Sequence, residues 1–218
     1  MSRSYGQLCG LALALDTIGD RWSLLIVREL LVRPSGARYT DLRDGLPGIA
    51  TNLLADRLRD LETSGVLRRE HPRPPVATPL FRLTELGESL RPAVDALAVW
   101  GGEQVPAASG DGEFRSRWLI IPIEAMVGDT APDEPAVIME IVTGDESVIV
   151  EIGAGEVRAR TSSGRPEAVR PSDLVVTGPP KPILGVLSGK LPLSAAERFG
   201  VRIEGDHGVL ARVGLGVA

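Results

Sequence analysis

Apolar residues in the first hundred positions recur at three- and four-residue steps, and the elements they mark follow one another at short intervals. Leu8, Leu11, Ala12, Leu15 and Ile18 form one stripe of an amphipathic helix near the start of the chain. After Gly19 the run from Trp22 to Val32 is apolar nearly all round, which predicts a buried central helix closed by Pro34, Ser35 and Gly36. A short helix is expected at about Thr40 to Gly45, with Thr40 as its N-cap and Leu42 and Leu46 turned inward. Pro47 and Gly48 make a turn. Leu54, Leu58 and Leu61 then fall at i, i+4 and i+7 in a helix from about Thr51 to Ser64, stopped by Gly65 at the left-handed C′ position.

The period then changes. Val66 to Glu70 and Leu80 to Leu83 are short alternating runs on either side of a proline-rich stretch, which predicts two strands around a stiff loop. Thr84 is placed to cap a helix carrying Leu86, Leu90, Val94, Leu97 and Trp100, with Pro92 bending it. Gly101 to Gly112 is rich in Gly, Ala, Ser and Pro and reads as a linker.

In the second half the segment Arg117 to Met126 is apolar, but Pro122 leaves its class open. Val137 to Val142, Ser147 to Ile152 and Glu156 to Thr161 are short runs separated by Gly-containing turns and predict an antiparallel meander. Leu174 to Thr177 suits a further strand, and Pro182 to Ser188 looks helical. Ser194 to Glu197 has a capping-box pattern opening a short helix, and Val201 to Glu204 and Val209 to Val213 close the chain. Strands followed by helices imply an α+β domain.

Composition narrows the function. The chain has 218 residues, enough for two cores, with 43% hydrophobic and 24% charged residues, as in an ordinary globular protein. Aromatics make up 4%, which argues against a base-stacking platform. The net charge of −5 is unevenly placed, because the acidic excess lies after residue 105. Between Arg38 and Arg82 the arginines 38, 43, 57, 59, 68, 69, 73 and 82 outnumber the acids, a modest surplus where phosphates would be met. A dimer would need base contacts or repeated half-sites to hold DNA well. One cysteine, Cys9, excludes an internal disulfide, and His71 and His207 are too isolated to suggest zinc. No cofactor is expected. The apolar run Leu11 to Leu15 is too short for a signal-peptide core or a membrane span, so a cytoplasmic protein without a membrane partner is expected.

Candidate chemistry gathers on the fourth helix. Opposite its leucine stripe lie Thr51, Asn52, Ala55, Asp56 and Arg59, short polar groups with an amide and a guanidinium able to reach base edges or phosphates. Arg68, Arg69 and Arg73 on the hairpin suit the sugar-phosphate backbone or the minor groove, although exposed arginine is ordinary on any hairpin. No enzyme constellation is present: Ser188 is not in a nucleophile elbow, and Gly185 to Lys190 is one residue short of a phosphate loop.

The blocks LDTIGDRWSLLIVRELL, YTDLRDGLPGIATNLLADRLRDLETSGVLRRE and FRLTELGESL resemble the HxlR family of bacterial winged-helix transcriptional regulators over about residues 8 to 103. The resemblance implies a homodimer that binds double-stranded operator DNA, with the first and last helices of the domain in its interface. DNA-contacting positions would be Arg38, Thr51, Asn52, Arg57, Arg59, Arg68, Arg69 and Arg73. Ala50 stands where members often have Ser, so Thr51 is a second candidate for the cap. Cys9 occupies the place of a reactive cysteine in redox-sensing members, but no cation neighbours it in sequence. A quiet interface cysteine is favoured over a redox sensor.

The run DLVVTGPPKPILGVLSGKLPLSAAERFGVRIEGD is similar to the C-terminal half of the sterol carrier protein type 2 fold. That similarity implies an apolar pocket for a small hydrophobic ligand, lined by Trp118, Met126, Met139, Ile183, Leu187 and Phe199, or a degenerate domain serving dimerisation. The expected fold class is α+β: a mostly helical winged helix-turn-helix with a two-stranded wing over 1–103, a linker over 104–113, and an α/β sandwich-like domain with a largely antiparallel sheet over 114–218. Two rival functions remain: a lipid-binding or sequestering protein with a vestigial winged helix, and a thiol redox regulator acting through Cys9.

Overall fold

The computed structural model describes residues 4–71, 78–104, 112–164 and 170–214. Two compact units divide the chain, Met1–Val94 and Asp95–Ala218.

The first unit opens with α1 (Gly10–Ile18) and α2 (Ser23–Leu31). Asp20 caps α2, its carboxylate accepting from the backbone N–H of Trp22 at 2.8 Å and of Ser23 at 3.1 Å. Ile26, Val27, Leu30 and Leu31 of α2 are buried, as its sequence requires. Glu29 is buried among them and is held by Arg28 at 2.9 Å and by Arg33 one turn on, which keeps the carboxylate compensated. Helix α3 (Tyr39–Asp44) begins one residue earlier than expected, and Thr40 is not its cap. Arg38 stands at that position, and its N–H donates to the Asp41 carboxylate at 2.8 Å.

Helix α4 (Thr51–Thr63) docks through Leu54, Leu58 and Leu61, all essentially inaccessible. Ala50, not Thr51, is its cap residue, and no side chain caps the end. Gly65 follows with φ +75°, the left-handed geometry that releases the chain into a strand. Strands β1 (Leu67–Glu70) and β2 (Leu80–Leu83) pair antiparallel, Leu67 opposite Leu83, and Ala37 adds one bridge to Phe81.

The helix after the hairpin is broken, not bent. Helix α5 (Glu85–Glu88) ends after one turn and α6 (Arg91–Gly102) starts afresh, with Pro92 in its first turn, where no N–H is needed. Thr84 caps α5 by accepting from Gly87 N–H at 3.2 Å. A Cβ on Gly87 would lie 2.1 Å from the Val66 carbonyl oxygen, so only glycine lets α5 approach the hairpin this closely. The unit boundary falls within α6, and the expected linker lies mostly at 105–111, outside the described residues.

The second unit settles the segment left open by sequence. A 3-10 turn at Ser116–Leu119 runs into α7 (Ile120–Met126), with Pro122 in the first turn. Strands β3 (Val137–Thr143), β4 (Glu146–Gly153) and β5 (Glu156–Thr161) form the meander. After β6 (Leu174–Thr177) come α8 (Pro180–Leu187), α9 (Leu193–Ala196), β7 (Arg202–Gly205) and α10 (Gly208–Arg212). Ser194 does not cap α9, which starts two residues earlier, at Leu193, with Pro192 in the cap position. The segment Val209 to Val213 is helical through Arg212.

Strand order is β5-β4-β3-β6-β7. Three of the pairings are antiparallel, but β3 and β6 run parallel at the centre. Val148, Ile149 and Val150 are consecutive and fully buried, so both faces of β4 are covered. At the β5 edge Glu124 of α7 accepts from Ala159 N–H at 2.9 Å, occupying a donor that would otherwise invite another strand.

Candidate nucleic-acid interface

Burial of Leu54, Leu58 and Leu61 turns Thr51, Asn52, Asp56 and Arg59 to solvent. The Tyr39 hydroxyl donates to the Thr51 carbonyl at 2.7 Å and ties α3 to the start of α4. Asn52 is exposed, and its side chain has no hydrogen-bond partner among the described residues. Its full donor and acceptor capacity is therefore open to a base edge.

The arginines differ in how far they are committed. Arg38 is exposed, with no ion-pair partner among the described residues. Arg59 pairs with Asp56 at 2.9 Å in an exposed i,i+3 bridge of the kind that gives way easily. Arg57 is half-buried, 3.0 Å from Asp60 and 3.8 Å from Asp20, so it braces α4 against the cap of α2. On the hairpin Arg68 and Arg82 stand directly opposite each other, and Glu70 bridges them, 2.8 Å from each. Arg69 lies over the Phe81 ring, 5.1 Å from its centroid, with Glu62 at 3.4 Å. Arg73 lies outside the described residues. Asn52, Arg38, Arg59, Arg68 and Arg69 thus remain accessible, while Arg57 is held inside its own unit.

Between α4 and the hairpin is an open cavity of about 260 Å³, lined by Tyr39, Ala55, Leu58, Arg59, Arg69, Thr78, Pro79 and Phe81. The sequence did not signal it. Its two walls come from residues far apart in the chain, and periodicity within each element says nothing about the gap between them.

Cys9 is exposed at the N-cap position of α1. The backbone N–H groups of Ala12 and then Leu11, at the open end of α1, draw its thiol below the ordinary range without a formed side-chain hydrogen bond. Looking only for a neighbouring cation missed this helix-end effect.

In the second unit Met139, Ile183 and Leu187 come together with Ile141, Val176 and Leu193 around a void of about 20 Å³. A wider groove of about 1020 Å³ is lined by Met126, Val186, Leu187, Leu193 and Val213 among others. Trp118 instead packs edge-on against Phe114, ring centroids 6.3 Å apart, and Phe199 is 62% exposed; neither lines the void. Beside the groove the Arg212 guanidinium grips the Asp129 carboxylate at 2.8 and 3.1 Å, with both side chains buried. The Ala131 and Gly155 N–H groups also donate to Asp129, each at 3.0 Å.

Among the described residues no cluster of His, Cys, Asp and Glu has the makings of a metal site, and no helix is long and apolar enough to cross a membrane.

The family model of the HxlR-like helix-turn-helix matches residues 17–109. The chain is 33% identical over 108 residues to the HTH-type transcriptional regulator YkvN of Bacillus subtilis, covering 49% of this chain and 88% of the relative. It is 35% identical over 95 residues to an HTH-type transcriptional regulator of Methanothermobacter thermautotrophicus, covering 43% and 70%. Among solved structures, the redox regulator HypR in its reduced form is similar at a TM-score of 0.40 and 27% identity, covering 44% of this chain and 93% of that one.

Proposed function

The chain belongs to the HxlR-like helix-turn-helix family, and from that membership we propose that it binds operator DNA as a homodimer through α4 and the β1–β2 wing. It is a transcriptional regulator of helix-turn-helix type and not an enzyme. The observation that carries the DNA reading is the division of α4 into a fully buried leucine face and an open polar face with Asn52 uncommitted. In this reading α4 lies in the major groove with Asn52 on a base edge, bidentate to adenine, and Thr51 and Arg59 beside it. Arg38, Arg68, Arg69 and Arg73 meet phosphates. Arg57 joins them only by leaving Asp60 and Asp20, so its first role is to hold α4 in place. Cytoplasmic action follows from the DNA partner.

Support for a homodimer comes from α1, where Leu11 is 69% exposed and Leu15, one turn on along the same side, is also open, apolar surface that a lone protomer leaves in water. The second unit is proposed to take a small apolar ligand. The wider groove lined by Met126, Val186, Leu187, Leu193 and Val213 supports that reading, as does the order of strand, helix, short helix and strand from β6 to β7. Ligand binding would act by shifting the population of DNA-competent dimers.

The test is fluorescence anisotropy with DNA from upstream of the protein's own gene and an unrelated duplex, across a salt series. Preference of about a thousandfold for the first duplex is expected. Asn52→Ala should reduce that preference by about tenfold or more while leaving the slope against salt unchanged, because a base contact releases no phosphate counterion. Equal, feeble binding to both duplexes, or a variant indistinguishable from wild type, refutes the assignment.

A further inference from the structure

We propose that the cavity between α4 and the wing is a binding site for a small planar aromatic carboxylate, and that such a ligand and DNA exclude one another there. Size sets the first limit. At about 260 Å³ the space exceeds the roughly 150 Å³ that suffices for benzene and falls below the roughly 300 Å³ at which drug-sized sites begin. A single substituted ring fits that window.

The lining sets the second limit. Ala55, Leu58, Pro79 and the Phe81 ring give an apolar interior, while Arg59 and Arg69 bring two guanidiniums, and among the described residues no carboxylate lines the space. Inorganic phosphate would meet the charges but leave the apolar surface wet, and a neutral arene would do the reverse. A flat ring bearing a carboxylate answers both, because the guanidinium fork matches a carboxylate and a stacked arginine is already directed by its ring. Arg69 is so directed, lying over Phe81 with Glu62 as an exposed partner 3.4 Å away, and Arg59 has Asp56 in a similarly exposed pair. Either guanidinium can exchange its present partner for a ligand at small cost. The Tyr39 hydroxyl is engaged by the Thr51 carbonyl, which fixes the ring in the cavity wall.

A carboxylate here would neutralise Arg59 and Arg69 on the face proposed to meet phosphates and would stand between α4 and the wing. Occupancy and DNA binding then oppose each other, and by linkage DNA weakens the ligand as much as the ligand weakens DNA. This exclusion rests on the DNA reading, but binding of the ligand itself does not, so the two are measured apart.

The first experiment titrates the full chain without DNA with benzoate, 2-hydroxybenzoate, cyclohexanecarboxylate and inorganic phosphate. It follows the ring resonances, which are few because the chain has two tyrosines and three phenylalanines. Saturable shifts at Tyr39 and Phe81 are expected with the two arene acids, with binding at least tenfold weaker for the saturated ring and for phosphate. Arg69→Gln should weaken the arene acids about tenfold. Ala55→Leu, which fills the space without changing charge, should abolish saturation while circular dichroism stays unchanged. Phosphate binding as tightly as benzoate, or no saturable shift at those two rings, overturns the site. The second experiment adds arene acid to the anisotropy assay. Ligand that binds the free chain yet leaves DNA affinity unchanged overturns the exclusion while leaving the site itself standing.

Discussion

At the scale of single residues the clearest consequence concerns Asp129. The Arg212 guanidinium first, then the N–H groups of Ala131 and Gly155, hold its carboxyl well below the usual carboxylate range. In the unfolded chain an aspartate titrates near the ordinary value of about 3.9. The folded form therefore stays ionised at pH values where the unfolded form takes up a proton. The stability this group contributes is complete above about pH 4 and is lost as pH falls toward the lower folded value. Asp129→Asn should destabilise the second unit at neutral pH and flatten its acid limb. Unfolding curves at pH 7 and pH 3, followed by Trp118 fluorescence, should show the gap between wild type and variant narrowing in acid; a constant gap would mean the pair is not the source. The residue scale is also where sequence reading was least informative. Asp20, Asp129 and Arg212 are common residues with no periodic signature, and their roles arise from partners that only folding brings near.

At the scale of elements, α4 is the best test of how a pattern becomes a surface. Its three leucines were legible as a stripe, and the structure buries all three. Truncation at the middle of the stripe removes packing and leaves a cavity, so Leu58→Ala should cost about 2–5 kcal/mol and loosen α4 relative to the wing. Denaturant unfolding should show that loss, and DNA affinity should fall with it although Leu58 is proposed to touch no nucleotide. Unaltered stability would mean that α4 is held chiefly by Tyr39 and Arg57. Element boundaries were legible to within a residue or two where glycine or proline punctuates the chain, as at Gly65. They were misread at the starts of α3 and α9, where Arg38 and Pro192 hold the cap positions two residues before Thr40 and Ser194 with no side-chain cap, because so small a shift costs little locally and tertiary contacts decide it.

At the scale of the molecule the exposed stripe of α1 is the feature that a single protomer leaves unexplained. Ala12 and Ile18 are buried, whereas Leu11 and Leu15, one turn apart on the same side of α1, face water; Leu13 on the other side and Leu8 before the helix are exposed as well. The side with Leu11 and Leu15 is the surface proposed above for association of two copies. The double substitution Leu11→Glu and Leu15→Glu should convert a dimer into a monomer in analytical ultracentrifugation and weaken operator binding, because half-sites are then held singly. A variant that remains dimeric would place the interface elsewhere, and a wild-type monomer would refute the dimer.

What the sequence determined by itself was local or carried by ordered motifs: the helical stripes, the glycine at the end of α4, the two strands around a proline-rich tip, the meander, and the family of the first unit. Each depends on residues near one another in the chain, so periodicity and turn chemistry suffice to read it. The tertiary structure alone decided the parallel pairing of β3 with β6, the burial of Glu29 and of the Asp129–Arg212 pair, and the bracing of Arg57. It alone opened the cavity between α4 and the wing. These features join residues distant in the chain, and one stretch of sequence holds no record of which distant atoms will complete its hydrogen bonds or leave a space beside it.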